Sequence, residues 1–321
     1  SPARPPTGRT SLSTGQPQAP RLAAPPRAQS FKTSLLQGPS RRDGSLVLAA
    51  HARLWLLTAG GRVRPFSSGP PGYTSPGGEE PYIAFSPGGS FGSGTVYALR
   101  LTSGRGVVAI STSGIIRRFA RLTLPGLIDG ITFDTTGRFG HRLLVTINAG
   151  SSTAVQAIDR HGVVSTITRR APRVEGGIVV APSTFGRFAG DLIASSETTG
   201  QIFAITPHGN SSLLANSGLP HGGDIGVESE AFVPRDPRAD AFAADRLTPG
   251  NRHPGDDAVL RIRAGALRNA GVRPGDLLVS TEGGALVDDA SPVAGGYRVR
   301  LVAWGPAIAH GEGHIAFARS R

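Results

Sequence analysis

The sequence predicts an all-β fold in the form of a six-bladed β-propeller. Its 321 residues include 45 Gly and 26 Pro, and only 17% of them are charged. Five times an acidic residue opens a short apolar strand, and the first four of these acids lie 49, 46 and 53 residues apart. A period of this length, with several strands in each repeat, is typical of propeller blades. The five acids are Glu80, Asp129, Glu175, Glu228 and Glu312.

From Gly44 onward, short β-branched or aromatic runs separated by Gly-containing turns predict up-and-down sheets. The repeats that begin with Glu80, Asp129 and Glu175 each contain an opening strand and three further strands. The first repeat has only three strands, GSLVLAA, RLWLLTAGG and RVRPF, and lacks an opening strand. After Glu228 the pattern is less regular, and FAADRL and DAVLRIR are its next candidate strands.

The C-terminal segment GHIAFA, residues 313–318, matches the opening strands of the other repeats. We expect it to pair with the N-terminal strand near Leu46, because this pairing would close the ring and remove open sheet edges. Two segments, AGDLIASSETTGQIFAI and PGDLLVSTEGGALVDDASPVAGGYRVRLVA, are versions of one hairpin and start 85 residues apart. This spacing predicts six blades with an irregular fifth and sixth; five blades with one large insertion is the alternative.

Residues 1–43 are rich in Pro, Ser and Arg, and residues 44–321 carry the propeller pattern. The first segment has no apolar periodicity, so we expect an extended arm without a helix or long strand that makes its contacts outside the channel. It packs either on its own propeller or on a neighbouring subunit. The arm and the lack of Met predict a secreted or cell-envelope protein after removal of an export signal. A shortened chain is the alternative.

Composition argues against several classes of function. The sequence has no Cys, hence no disulfide or thiolate chemistry, and no apolar run long enough to span a bilayer. Its net charge is +12, and Lys32 is its only lysine. Because the arginines are scattered without interleaved aromatic residues, the sequence argues against nucleic-acid binding. It favours a protein partner or an anionic cell-envelope surface.

The five opening acids are the main candidate site. The first strand of each propeller blade lines the channel, so these side chains are expected to converge on its axis. Carboxylates held close together bind protons or a cation, and their oxygen atoms suit a hard ion such as Ca²⁺. We therefore predict a divalent cation, Ca²⁺, held by Glu80, Asp129, Glu175, Glu228 and Glu312. In the alternative interpretation, each acid caps its own loop or pairs with an arginine.

Two histidines are candidate catalytic residues. His221 in GLPHGGD and His310 in AIAHGEGH lie in the loops before two channel strands. An imidazole beside carboxylates can act as an acid or a base near neutral pH. His314 follows in the channel strand, and Asp224 is a further candidate ligand. The alternative is that His-Gly is only a turn. We expect the acidic loop TEGGALVDD to be a solvated hairpin tip, with a peripheral cation site as the alternative.

The acid–Gly pairs, each followed by apolar residues, a short turn and G-x-L-L-V, resemble the six-bladed propellers of the gluconolactonase and NHL-like superfamily over residues 44–320. Three pairs match fully and two match in part: Asp129-Gly130, Glu175-Gly176 and Glu312-Gly313, then Glu80-Pro81 and Glu228-Ser229. The resemblance implies the architecture, and it implies activities that range over calcium-dependent lactonases, lyases and interaction modules. Lactonases of that superfamily bind metal with acidic and amide groups, whereas the opening residues here are all acidic.

Two functions follow. The first is a metal-assisted hydrolase or lyase that acts on a lactone-like or small ester substrate, in which the cation polarises a carbonyl oxygen and His221 or His310 moves a proton. The second is a non-catalytic propeller scaffold or accessory subunit that docks a partner through its basic surface and its N-terminal arm. The acids and histidines favour the first function, and the arm and the net charge favour the second.

Overall fold

The computed structural model describes residues 34–35, 44–50, 53–58, 61–68, 82–101 and 104–319. It confirms the predicted all-β propeller with six blades arranged in a ring. The inner strands of neighbouring blades contact one another around the channel.

Blades 1–4 are antiparallel sheets whose strands run in chain order from the channel to the outer edge. Blade 1 consists of β1 (Ser34–Leu35), β2 (Leu46–Ala50), β3 (Arg53–Leu57) and β4 (Val63–Ser68). Blade 2 consists of β5 (Ile83–Phe85), β6 (Val96–Arg100), β7 (Gly106–Ile110) and β8 (Ile116–Arg121). Blade 3 consists of β9 (Leu127–Phe133), β10 (Leu143–Asn148), β11 (Thr153–Ile158) and β12 (Val164–Ala171). Blade 4 consists of β13 (Ile178–Val180), β14 (Leu192–Ser196), β15 (Gln201–Ile205) and β16 (Ser211–Asn216).

Blade 5 is interrupted by most of blade 6. After its inner strand β17 (Val227–Phe232), the chain forms two strands and a helix of blade 6: β18 (Ala239–Asp245), β19 (Ala258–Ile262) and α1 (Ala264–Asn269). It then completes blade 5 with β20 (Leu277–Thr281), β21 (Leu286–Val293) and β22 (Gly296–Trp304). The last strand, β23 (Gly311–Arg319), is the inner strand of blade 6. This insertion explains why the two similar hairpins start 85 residues apart.

The ring closes through β23, but not onto the strand that the sequence predicts. β23 pairs antiparallel with β18 and reaches blade 1 by a parallel pairing of Gly313 with Leu35 in β1. The expected partner near Leu46 belongs to β2, whose neighbours are β1 and β3. That detail of the prediction is wrong because β1 already occupies the inner edge of β2. β1 lies within residues 1–43, and the other residues of the predicted arm are outside the described part of the chain.

Six buried apolar clusters lie at the six interfaces between neighbouring blades. At the closing interface, Leu46 and Leu48 of blade 1 pack with Ala244 and Ala316 of blade 6. Burying a large apolar side chain stabilises a fold by about 1.5–3 kcal/mol. Closure is therefore supported by packing as well as by strand pairing. Among the described residues, no helix has the length and apolar character needed to cross a membrane.

Glycine turns fix the approach of each blade to the one before it. The hairpin turns between the third and fourth strands of blades 2, 3 and 4 contain Gly114, Gly162 and Gly209, each with a φ between +81° and +83°. A Cβ at Gly162 would lie 2.1 Å from the carbonyl oxygen of Phe119 in β8. The equivalent Cβ atoms at Gly114 and Gly209 would lie 2.5 and 2.8 Å from carbonyl oxygens of the preceding outer strand. Only glycine fits these contacts.

Gly162→Ala tests this contact between blades. We expect a loss of roughly 1–2 kcal/mol from the left-handed backbone and a further loss of about 1–3 kcal/mol from the clash with Phe119. Gly150→Ala is the matched control, because its φ is +89° but no atom lies within 4 Å of its Cβ position. Urea unfolding of the two variants measures the difference. Equal losses would show that the turn does not set the spacing of the blades.

Candidate active site

One mouth of the channel is formed by the ends of second strands and the starts of inner strands. Glu197 directly follows β14 in blade 4, and Glu282 directly follows β20 in blade 5. His310 immediately precedes β23, whose second residue is Glu312. A β-bridge between Gly283 and His310 holds blade 5 against the start of β23. The four side chains are buried, so three blades bring ionisable groups together away from bulk water.

His310 is held on both ring nitrogens. Its Nε2 lies 2.8 Å from Glu282 Oε1 and 3.1 Å from Glu312 Oε1, and its Nδ1 lies 2.9 Å from the carbonyl oxygen of His253. Burial alone would lower the pKa of His310, but its hydrogen bonds to the two carboxylates and their charges raise it to about 10. At neutral pH the ring is therefore an imidazolium that donates from both nitrogens.

Glu312 has a second cationic partner, and one of its two carboxylate oxygens has no hydrogen bond from the described residues. Arg246, which follows β18, donates from Nη1 to the same Oε1 at 2.5 Å. Oε2 of Glu312 is buried and accepts no hydrogen bond from the described residues. Because an isolated buried carboxylate oxygen is costly, this atom is suited to a proton or a cation brought in by a ligand.

Glu197 and Glu282 form a carboxyl pair beside His310. Burial, together with the charges of Glu282 and Glu175, raises the pKa of Glu197 to about 8. At neutral pH Glu197 keeps a proton, which it shares with Glu282 by a hydrogen bond. The backbone amide of Asp224 donates to Glu197. Glu282 is thus the link between the carboxyl pair and the histidine.

Two overlapping groups of side chains have the spacing of metal ligands. Ligand atoms of Glu197, Asp224 and Glu282 lie within 4.8 Å of one another, and so do those of Glu282, His310 and Glu312. The first group offers only carboxylate oxygens, which suit a hard divalent cation. Asp224 is exposed, whereas Glu197 and Glu282 are buried, so the first group is reached from solvent along Asp224. Acidic groups able to bind a divalent cation are therefore present at the mouth.

The five predicted acids have different surroundings. Glu312 belongs to the mouth cluster, and Glu80 lies outside the described residues. Glu175 lies at the rim, where it pairs with Arg173 at 3.0 Å and accepts from Asn148 at 3.3 Å. The charge of Glu175 helps to raise the pKa of Glu197, so Glu175 lies near the cluster.

Asp129 and Glu228 lie on the inner strands β9 and β17. Thr146 donates to Asp129 Oδ1 at 2.9 Å, and the hydroxyl of Tyr82 donates to Glu228 Oε1. Both acids are buried. The structure thus brings Glu312 and Glu175 to the mouth and places Asp129 and Glu228 among polar partners on neighbouring strands.

The channel next to Glu228 contains a buried carboxyl and a buried imidazole. A Cβ at Gly177 would lie 2.9 Å from His314 Nδ1 and 3.1 Å from Glu230 Oε2, so glycine makes room for both groups. Burial raises the pKa of Glu230 well above its usual value and lowers the pKa of His314 to about 3. His314 is therefore neutral at pH 7, and burial favours the protonated, neutral form of Glu230.

His221 is not part of the cluster. It is exposed, and its Nδ1 lies 3.2 Å from the carbonyl oxygen of Leu219. His253 supplies the carbonyl oxygen that orients His310. The interpretation of TEGGALVDD as a solvated tip is wrong, because Glu282, Asp288 and Asp289 are all buried.

The sequence contained a signal for the two missed acids. In the paired hairpins, DLIASSE and DLLVSTE align residue by residue, and Glu197 and Glu282 are their last residues. Asn148, the last residue of β10, has the equivalent position in the segment RLLVTIN of blade 3. Because equivalent positions of neighbouring blades meet around the channel, this alignment predicts that the two glutamates lie close together.

The chain shares a fold, and no established family, with known proteins. No protein-family model matches it, and no curated protein is a detectable relative. Virginiamycin B lyase from Staphylococcus aureus is similar at 14% identity and a TM-score of 0.50, with 94% of this chain and 95% of that chain covered. A catalytically inactive variant of that lyase with quinupristin is similar at 15% identity and a TM-score of 0.50, with 93% of this chain and 95% of that chain covered. A protein of unknown function from Bacteroides thetaiotaomicron is similar at 12% identity and a TM-score of 0.52, with 93% of this chain and 69% of that chain covered. The six-bladed architecture implied by the sequence resemblance is confirmed.

Glu230→Gln tests the charge state of the channel. Because the folded pKa of Glu230 is raised, the folded protein binds a proton that the unfolded chain releases above its ordinary pKa of 4.5. The wild type therefore loses stability as the pH rises above that value. An amide has no charge to bury, so the stability of the variant relative to the wild type should increase as the pH rises above 4.5, measured by urea unfolding.

Asp159→Asn is a control for which the expected change in stability has the opposite sign. Hydrogen bonds from the backbone of Val163 and His161 lower the pKa of this exposed carboxyl. Its charge therefore stabilises the folded protein above the unfolded pKa, and the variant should lose stability there. Parallel curves of stability against pH for the wild type and Glu230→Gln would contradict a raised pKa of Glu230.

Proposed function

We propose that the protein is a metal-assisted hydrolase or lyase that acts on a lactone-like or small ester substrate at the mouth of the channel. The observation that carries this proposal is the connected cluster of Glu197, Asp224, Glu282, His310 and Glu312, in which a histidine lies between two carboxylates. Cleavage of an ester needs a group that moves a proton beside a group that stabilises charge on oxygen. The mouth contains residues suited to both tasks.

The carboxylates of Glu197, Asp224 and Glu282 are the proposed ligands of a divalent cation, Ca²⁺ in the first instance. Their donor set consists of hard oxygens at suitable spacing, and the buried Oε2 of Glu312 lies in the adjoining group. When bound, such a cation supplies Lewis-acid polarisation of a substrate carbonyl. The axial acids Asp129 and Glu228 are the competing ligands that the sequence pattern suggests.

His310 is the proposed proton donor and acceptor. Glu282 and Glu312 hold its Nε2–H, while the carbonyl of His253 fixes Nδ1–H, so the ring cannot turn without losing bonds on both sides. Arg246 keeps Glu312 in place when the charge of the imidazole changes.

The fold comparisons add limited support. Virginiamycin B lyase has a propeller of similar architecture, and the catalytically inactive variant of that lyase has alanine in place of a histidine. The second candidate function is a non-catalytic scaffold that docks a protein or an anionic envelope surface, and the net charge of +12 favours it. Secretion or envelope attachment rests on the sequence pattern of the N-terminal segment.

Calcium should stabilise the wild-type protein. A ligand that binds only the folded state at 100 times its dissociation constant adds about 2.7 kcal/mol, so the melting temperature should rise by several degrees and fall back with chelator. Glu282→Gln should abolish this shift, because the amide keeps the shape and loses the charge. Glu228→Gln should keep it, since Glu228 is outside the proposed ligand set. Identical melting curves with calcium and with chelator would remove the metal from the proposal.

His310→Gln should lower turnover of the active substrates by about 10²–10⁴-fold, the range for a lost general acid or base. Turnover is measured on a panel of lactones and aryl esters, after circular dichroism has shown that the variant is folded. His221→Ala is the matched control and should remain near wild-type activity. The reverse ranking of the two variants would contradict the assignment, and a panel without any turnover would favour the scaffold.

A further inference from the structure

The end of the channel opposite the mouth is a large apolar cavity. The inner strands of blades 2–6 start at the mouth, and their last residues line this cavity of about 670 Å³. Blade 1 contributes Gly44, which lies shortly before β2. Cavities of about 300–1,000 Å³ with a mostly apolar lining are typical of small-molecule sites. This end of the channel therefore has the size and the lining of a ligand site.

The sequence repeat places a phenylalanine at this cavity in four blades. The inner strands of blades 2, 3, 5 and 6 contain IAF, ITF, EAF and IAF, and the corresponding segment of blade 4 is IVV. The last residues of these five segments all line the cavity: Phe85, Phe133, Val180, Phe232 and Phe317. Phe85, Phe232 and Phe317 are only half-buried, although each packs against a cluster between blades. Aromatic side chains from separate blades thus form one apolar wall.

The rim of the cavity has an excess of positive charge. Asp236 and Arg319 are the only charged residues among the described residues of the lining, and Nε of Arg319 donates to Asp236. Nε of Arg238 lies 3.6 Å from the same carboxyl group, and the exposed Arg235 comes directly before it in the chain. Asp134, in the loop after β9, is buried, and both of its oxygens accept hydrogen bonds from backbone amides of its own loop. Three arginines therefore lie at or next to a rim with one carboxylate.

We propose that this cavity binds a small amphipathic anion, an alkyl chain with a carboxylate head. The aromatic wall buries the chain, and each methylene removed from water raises the affinity roughly fourfold. The head lies at the rim, because guanidinium groups make charge-assisted hydrogen bonds with carboxylates. Deeper in the cavity a carboxylate would be costly, since the described lining offers it no charged partner there. The site is at the other end of the channel from the proposed cation ligands and goes beyond the proposed function.

Isothermal titration calorimetry with decanoate below its critical micelle concentration tests the site. Chelator is present, so that no metal at the mouth binds the carboxylate. We expect one decanoate per chain, and octanoate, which has two methylenes fewer, should bind roughly tenfold more weakly. Decanol and decylammonium have the same chain with a neutral and a cationic head. Each should bind at least about fivefold more weakly than decanoate, because only the carboxylate matches the charge of the rim.

Two variants separate the chain site from the head site. Thr135 is exposed and lines the cavity, so Thr135→Trp should weaken decanoate and decanol at least about tenfold by taking the space of two or more methylenes. Arg319→Gln should weaken decanoate about fivefold, the upper range for an exposed ion pair, and leave decanol unchanged. Thr123→Trp and Arg117→Gln are the matched controls, because both residues are exposed and neither lines the cavity. They should change affinity less than about twofold.

Three results would overturn the proposal. The first is absence of saturable decanoate binding by the wild type. The second is an equal loss in Thr135→Trp and Thr123→Trp, and the third is equal affinity for decanoate and decanol. The source of the chain is tested by sedimentation with phosphatidylglycerol vesicles. Binding to vesicles without binding of monomeric decanoate would overturn the proposal in favour of a membrane surface.

Discussion

β23 is the strand on which the rest of the structure depends. Its antiparallel pairing with β18 completes blade 6, and its parallel pairing with β1 joins that blade to blade 1. The same strand carries Glu312 to the mouth and follows His310, whose other carboxylate partner, Glu282, belongs to blade 5. Because His310 and Glu312 lie at the start of β23 and Glu282 lies in blade 5, the cluster can form only when β23 has joined blade 6. The folding of the last strand and the candidate chemistry are therefore coupled.

The mouth offsets the cost of buried charge in several ways. His310 is a cation between two carboxylates, Arg246 neutralises Glu312 further, and Glu197 keeps its proton. Without such partners, each buried carboxylate would cost several kcal/mol. In the channel, burial disfavours the charged forms of Glu230 and His314. Charge is thus concentrated at the mouth, where a charged transition state or a cation could use it.

The sequence predicted the architecture better than the site. The repeat of acidic residues located the inner strands, and the segment GHIAFA proved to be one of them in β23. The interruption of blade 5 could not be read locally, because β18 and β19 have ordinary strand patterns and only long-range pairing assigns them to blade 6. His310 was found because it precedes an inner strand. Glu197 and Glu282 were missed because they follow second strands, and their register was visible only by aligning two hairpins 85 residues apart.

Anomalous diffraction from a crystal soaked with manganese or a lanthanide, used in place of calcium, would test the central claim most directly. The account predicts one peak at the mouth, with oxygen atoms of Glu197, Asp224 and Glu282 at about 2.3–2.6 Å, the range of calcium–oxygen distances. A peak between Asp129 and Glu228 on the inner strands, or no peak at saturating ion, would contradict it.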